Sequence, residues 1–199
     1  MAPIPAFLLS AACGYLLGSV STGIIYSRML GRDIRTQGSK NSGATNMTRV
    51  HGFKEGFITF LGDCVKGVLA ALIGLWLGGL HAAMIAGLFA LIGHMWPVFF
   101  GFRGGKGVST AIGVGLVTSP LFGGIAVAVG GAVMLLSRYV SLGSIMGMAV
   151  FGLTVSIVCG LWPAGVWAVA MAALVIVRHS GNIGRLLHGT ERRMGQKEQ

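Results

Sequence analysis

Four stretches of this chain, 1–27, 67–102, 107–137 and 139–177, contain no aspartate, glutamate, lysine or arginine. They run 27, 36, 31 and 39 residues, and one helix crosses a bilayer in about 20 apolar residues. The first stretch fits one span. The last, interrupted by Gly160-Leu161-Trp162-Pro163, fits two. Only 10% of the 199 residues are charged, against about 25% in a soluble domain. Disorder, a coiled coil and an ordinary soluble enzyme are thereby excluded. The expected class is an all-α polytopic integral membrane protein, one transmembrane domain over residues 1–199 with 190–199 as a flexible basic cytoplasmic tail.

The second stretch extends back through Phe57 if Asp63 and Lys66 are tolerated, giving two spans that turn near Gly78-Gly79-Leu80-His81. The 107–137 stretch would be about 46 Å long as a helix, too long for one span and short for two. Thr118-Ser119-Pro120 and Gly123-Gly124 lie where a turn would go. Lysine and arginine collect in cytoplasmic loops, and that rule arbitrates. Seven spans, the fourth and fifth short, with the amino terminus outside and the carboxyl terminus cytoplasmic, place 14 of the 15 basic residues on one face. Lys66 is the exception.

The amino-terminal run lacks a basic leading segment and reads as a retained first helix. Gly14/Gly18, Gly74/Gly78 and Gly143/Gly147 stand four apart, a spacing that lets helices approach closely in lipid. Trp96, Trp162 and Trp167 are expected at the bilayer interfaces. Asp63 and Lys66, three apart inside a span, are expected to pair or to face a polar cavity, because an isolated charge there costs roughly 2.5–3.5 kcal/mol.

Three clusters fall on the cytoplasmic side. The first, Gly38-Ser39-Lys40-Asn41-Ser42-Gly43-Ala44-Thr45-Asn46 followed by Arg49, can turn N–H groups and hydroxyls toward one anion; its bland alternative is a polar turn. In the second, Arg103-Gly104-Gly105-Lys106-Gly107-Val108-Ser109-Thr110 runs into a helix, whose amino end attracts anions. It is not a Walker A loop, since Phe100 and Gly107 stand at required positions. The third runs from Arg178 to Glu191, and in a continuing helix His179, Asn182 and Arg185 would share one face. A basic helix on lipid headgroups is its alternative. Ser39, Asn46, Arg49, Lys106, His179, Asn182 and Arg185 together make a constellation rich in anion-binding groups and poor in carboxylates. It suits one or two phosphates beside lipid. Asp33, Glu55, Asp63, Glu191 and Glu198 show no chelating arrangement, so neither a metal nor another cofactor is expected.

These clusters resemble the motifs of the bacterial membrane-integral acyl-phosphate:glycerol-3-phosphate acyltransferases, the PlsY type. The likeness lies in residues 38–46, 104–110 and 178–191, and extends to Gly18-Ser19, Asp63 to Gly67, Gly93-His94-Met95, Pro97 to Phe102 and Arg138 to Ile145. Ser109 and Lys40 depart from it slightly. The resemblance implies a seven-helix enzyme of the bacterial cytoplasmic membrane, with its active site on the cytoplasmic face. It would join acyl phosphate and glycerol 3-phosphate into 1-acyl-glycerol 3-phosphate for phospholipid synthesis. By motif position it implies Ser39, Arg49, Lys106, His179 and Asn182 as catalytic residues. Gly38, Asn41, Thr45, Asn46, Gly104, Gly105, Gly107 and Ser144 would contact substrate or phosphate. Its partners would be the two substrates and membrane lipid, with no nucleic acid. Handover of the donor by the enzyme that makes it stays open.

The residues agree with that chemistry. A His-x4-Asp acyltransferase needs an aspartate five after a histidine, and Gly56, Ala86, Phe99, Gly184 and Arg193 occupy those positions. An acyl phosphate expels phosphate without a general acid. The glycerol hydroxyl must still lose a proton, to His179 or to a substrate phosphate whose second pKa lies near 6. A transporter of a phosphorylated metabolite is the competing class, and a lipid-bound scaffold the third. One-sided clusters and the lack of a repeat speak against the transporter, and the glycine loops against the scaffold.

Overall fold

The computed structural model describes residues 3–196, which form nine α-helices. Five apolar helical stretches are long enough to cross a membrane: Pro3–Met29, Phe53–Phe100, Pro120–Ser137, Val140–Cys159 and Leu161–Arg178. The chain divides into two compact units, one ending at Thr118 and one beginning at Ser119.

The first unit holds α1 (Pro3–Ser19), α2 (Thr22–Met29), α3 (Ala44–His51), α4 (Phe53–Met95) and α5 (Val108–Thr118). α4 is two arms rather than one rod. Gly78 (φ −164°, ψ 27°) and Gly79 (φ 75°, ψ −163°) break it where the turn was expected, and the second of these conformations favours glycine. α1 lies along the second arm, where a Cβ on Gly14 or Gly18 would overlap the backbone of Ala86 or Ala90. Small residues thus do the packing, as expected of helices that have no hydrophobic drive between them in lipid. A separate small core of Ile24, Ile34 and Met47, all fully buried, lies among α2, α3 and the loop between them.

α5 ends at Thr118 because Ser119 precedes Pro120, which disfavours helical conformation in the residue before it. The two spans expected as a short pair are therefore unequal, 11 and 18 residues. Gly123 and Gly124 are helical and make no turn.

The second unit contains α6 (Pro120–Ser137), α7 (Val140–Cys159), α8 (Val166–Arg178) and α9 (Ser180–Leu187). α6 and α7 approach through Gly130, Gly143 and Gly147; a Cβ on Gly147 would lie 2.8 Å from the Ala126 oxygen. α7 stops at Gly160 (φ 77°), and a π-helical turn, Leu161–Gly165, leads into α8. Trp162 is exposed, and Trp167 is buried edge-on against Phe151, 5.7 Å between centroids. Outward-facing Trp76, Leu136 and Leu161 give the helices the apolar exterior that a lipid solvent requires.

Candidate active site

In the first unit, the loop between α2 and α3 is organised around one buried amide. Asn46 Nδ2 donates to the carbonyls of Asn41 (2.9 Å), Gln37 (3.0 Å) and Ile34 (3.3 Å), and its Oδ1 accepts from the Ser39 N–H at 2.9 Å. Asn46 was expected among the phosphate contacts. Its whole amide instead braces the loop, so its part is to position. Asn41 does likewise, its Oδ1 accepting from the Gly43 N–H at 2.9 Å. Gly38 has φ 56° and lies against Asn46, leaving no room for a Cβ. Ser39 is left exposed at the loop tip, with Thr45 and Arg49 half-buried on α3.

The strand of loop before this tip is pinned separately. Asp33 caps the Ile34–Thr36 turn and pairs with Arg35 (2.8 Å) and Arg28 (3.1 Å). Arg35 Nη1 donates to the Phe100 carbonyl at 2.7 Å. The hydrogen bond from Arg35 holds the Asp33 carboxyl well below the usual range.

The loop carrying Lys106 folds back on the end of α4. The Gly104 N–H donates to the Met95 carbonyl at 3.2 Å and the Gly105 N–H to the His94 carbonyl at 3.1 Å. These two N–H groups were expected to face an anion. They are used to close the helix end, because terminal carbonyls lack partners within their own helix. The glycines are needed for packing: a Cβ on Gly105 would meet the His94 ring, and one on Gly107 (φ 89°) the Leu91 side chain. Lys106 stands half-buried between them, one residue short of the α5 amino end that Gly107 introduces.

In the second unit, α8 ends at Arg178 and α9 begins at Ser180, so His179 is a corner rather than a position within one continuing helix. It is 3% exposed, and Nδ1 lies 2.8 Å from the Val175 carbonyl. A carbonyl only accepts, so Nδ1 carries hydrogen and a neutral ring has its lone pair on Nε2. Asn182 and Arg185 do point to one place, and the place is Glu191. Asn182 Nδ2 donates to Oε1 at 2.6 Å, Ser141 Oγ to Oε1 at 2.7 Å, and Arg185 Nε to Oε2 at 2.7 Å. Burial pushes the Glu191 carboxyl up, but these bonds outweigh it and hold it below its ordinary value.

Neither Glu191 nor Ser141 is among the site residues that the sequence motifs point to. A turn through Gly189 (φ 69°) brings Glu191 back, and no periodicity reports such a return. Residues 190–196 were expected as loose tail. Instead Glu191 is buried, Met194 N–H donates to the Arg138 carbonyl at 2.8 Å, and Arg193 Nε donates to the Tyr139 hydroxyl at 3.2 Å. Residues 197–199 of that tail lie outside the described residues. Ser144 Oγ donates to the Val140 carbonyl at 2.9 Å, which leaves its oxygen able to accept but not to donate further.

The model of the family described as glycerol-3-phosphate acyltransferase matches residues 8–189. The chain belongs to that family. A glycerol-3-phosphate acyltransferase from Thermoanaerobacter sp. (strain X514) is 46% identical over 191 residues, 96% of each chain. One from Clostridioides difficile (strain 630) is 43% identical over 204 residues, 98% of each. Among solved structures, the crystal structure of PlsY, an integral membrane glycerol 3-phosphate acyltransferase, in its glycerol 3-phosphate form matches with TM-score 0.88 and 42% identity. That match covers 95% of this chain and 96% of the other. The lysophosphatidic acid form of PlsY matches with TM-score 0.86 and 41% identity, over 95% of each chain.

Proposed function

We propose that this protein transfers a fatty acyl group from acyl phosphate to glycerol 3-phosphate, releasing inorganic phosphate and 1-acyl-glycerol 3-phosphate. The observation that carries the reading is the chemistry of the two units' polar loops. They offer hydroxyls, amides, a lysine, an arginine and a histidine. The carboxylates in them, Asp33 and Glu191, are already held by arginines. Such a set binds phosphates and has no carboxylate base to offer. An acyl phosphate is activated, so positioning two anions and stabilising the developing oxyanion suffice.

Lys106 and Arg49 hold phosphate, Arg49 through its planar fork. Ser39, His179 and Asn182 complete the catalytic set, with Thr45 and Ser144 as further polar contacts. Gly38, Asn41, Asn46, Gly104, Gly105 and Gly107 shape the loops that bear them. The hydroxyl proton passes to a substrate phosphate rather than to a protein base. α4 crosses the membrane twice, its arms meeting at Gly78-Gly79, and α5 adds a short span. Seven crossings result, with the amino terminus outside. The loops and the carboxyl terminus then face the cytoplasm of a bacterial inner membrane. The whole chain acts as one transmembrane domain, and the acyl chain stays in lipid during transfer.

The test uses purified protein in detergent with palmitoyl phosphate and glycerol 3-phosphate, following phosphate release and lysophosphatidic acid. Both products should appear in equal amounts, and palmitoyl-CoA should yield neither. Product from palmitoyl-CoA at a comparable rate would overturn the choice of donor. A transporter or scaffold would release no phosphate.

A further inference from the structure

The first unit contains a buried ion pair that the proposed chemistry does not use. Asp63, on the first arm of α4, is completely buried, and its Oδ1 lies 2.9 Å from Lys66 Nζ. Lys66 also donates to the Val20 carbonyl at 2.7 Å, an acceptor left over where α1 stops short of α2. The lysine is therefore satisfied by one carboxylate and one carbonyl. The same Asp63 oxygen faces Nδ1 of His94 at 3.7 Å, across from the last turn of the second arm. His94 is 3% exposed.

His94 is in turn the floor of the Lys106 loop. Its carbonyl accepts the Gly105 N–H, and its ring lies so close to Gly105 that any Cβ there would strike Nε2. A Cβ on Gly104 would strike the His94 carbonyl oxygen. Both contacts fall within two residues of Lys106. A charge pair in an apolar interior often stabilises no better than apolar side chains of the same shape. The close-packed small residues of α1 and α4 already join these helices. What the pair adds is direction: a carboxylate aimed at an imidazole whose face sets the height of the loop above it.

We infer that Asp63 and His94 are positioning residues for the anion-holding loop, Asp63 orienting the His94 ring and the ring seating Gly105 so that Lys106 meets the substrate phosphate. Asp63 touches no substrate and acts only through His94. The inference rests on the proposed role of the 104–107 loop and adds how that loop is held.

The experiment measures kcat and KM for glycerol 3-phosphate at saturating palmitoyl phosphate, together with the thermal unfolding midpoint, in detergent. The variants are His94→Ala, His94→Gln, Lys106→Ala and the charge-free double variant Asp63→Asn/Lys66→Met. The double variant removes both buried charges, so it should unfold within a few degrees of the parent. It should nonetheless raise KM about tenfold, with kcat changed less than about threefold. His94→Ala should raise KM similarly, and His94→Gln, which can still donate toward Asp63, should recover most of that loss. A folded double variant or His94→Ala with KM within about twofold of the parent would overturn the inference. So would failure of all three Asp63 and His94 variants to fold, because the pair would then hold helices rather than the loop. Lys106→Ala separates the two ideas: an unchanged KM there sinks the phosphate-holding role of the loop itself.

Discussion

Asn182 and Glu191 meet at 2.6 Å, although nine residues and a left-handed turn at Gly189 separate them. Glu191 thereby becomes the acceptor on which α7, through Ser141, and α9, through Asn182 and Arg185, converge. Changing Glu191 to alanine leaves three donors facing an empty acceptor position, two of them buried. The expected loss is about 1–3 kcal/mol, read as a drop of several degrees in the thermal midpoint in detergent. A double-mutant cycle with Asn182→Ala should show the two losses to be far from additive.

Acid should reveal the same carboxylate. Its folded value lies below its unfolded one, so its stabilising contribution is complete above the unfolded value, near 4.3 for glutamate. That contribution fades as pH falls through the folded value. Asp33, held down by Arg35 and Arg28, behaves alike. Thermal midpoints measured from pH 7 to pH 3 should fall less steeply in Glu191→Gln and in Asp33→Asn than in the parent. An unchanged acid limb in both would refute the assignment of these carboxylates as the acid-sensitive groups.

Loss of a charge-assisted hydrogen bond is worth about 1.5–3 kcal/mol. Lys106→Ala should therefore lower kcat/KM for glycerol 3-phosphate by about one to two powers of ten. Arg49→Lys keeps the charge but loses the planar fork, and should fall by about tenfold. A lysine that works as well as arginine at position 49 would show that charge alone matters there.

The proton's destination can be read at His179. With Nδ1 donating to Val175, a neutral ring keeps its Nε2 lone pair to take a proton, which a glutamine in the same place cannot do. If a substrate phosphate is the base, His179→Gln should keep most of kcat. A fall of about 10⁴-fold with substrate binding unchanged would identify the imidazole as base.

Much of the fold was legible because lipid imposes a simple solvation rule. Charge-free stretches became the apolar helices, and the breaks at Gly78-Gly79, Ser119-Pro120 and Gly160 fell where backbone-permissive or proline residues stood. The pairing of Asp63 with Lys66 followed from the same rule. The edge-on packing of Trp167 against Phe151 did not follow from it, because a hydropathy pattern does not report which neighbour a ring meets.

The candidate site was legible as a set of residue types and not as a division of labour. Asn46 and Gly105 read as anion contacts because amides and glycines are common in phosphate loops. Only the fold shows that Asn46 closes its own loop and that the Gly105 N–H closes the end of α4. Local composition determined the class of protein and the helix breaks, because each depends on a residue and its near neighbours in a fixed solvent. Hydrogen-bond partnership was decided by tertiary structure. A donor takes whichever acceptor the packing brings within 3 Å or so, and for Ser141 that is Glu191, 50 residues away along the chain.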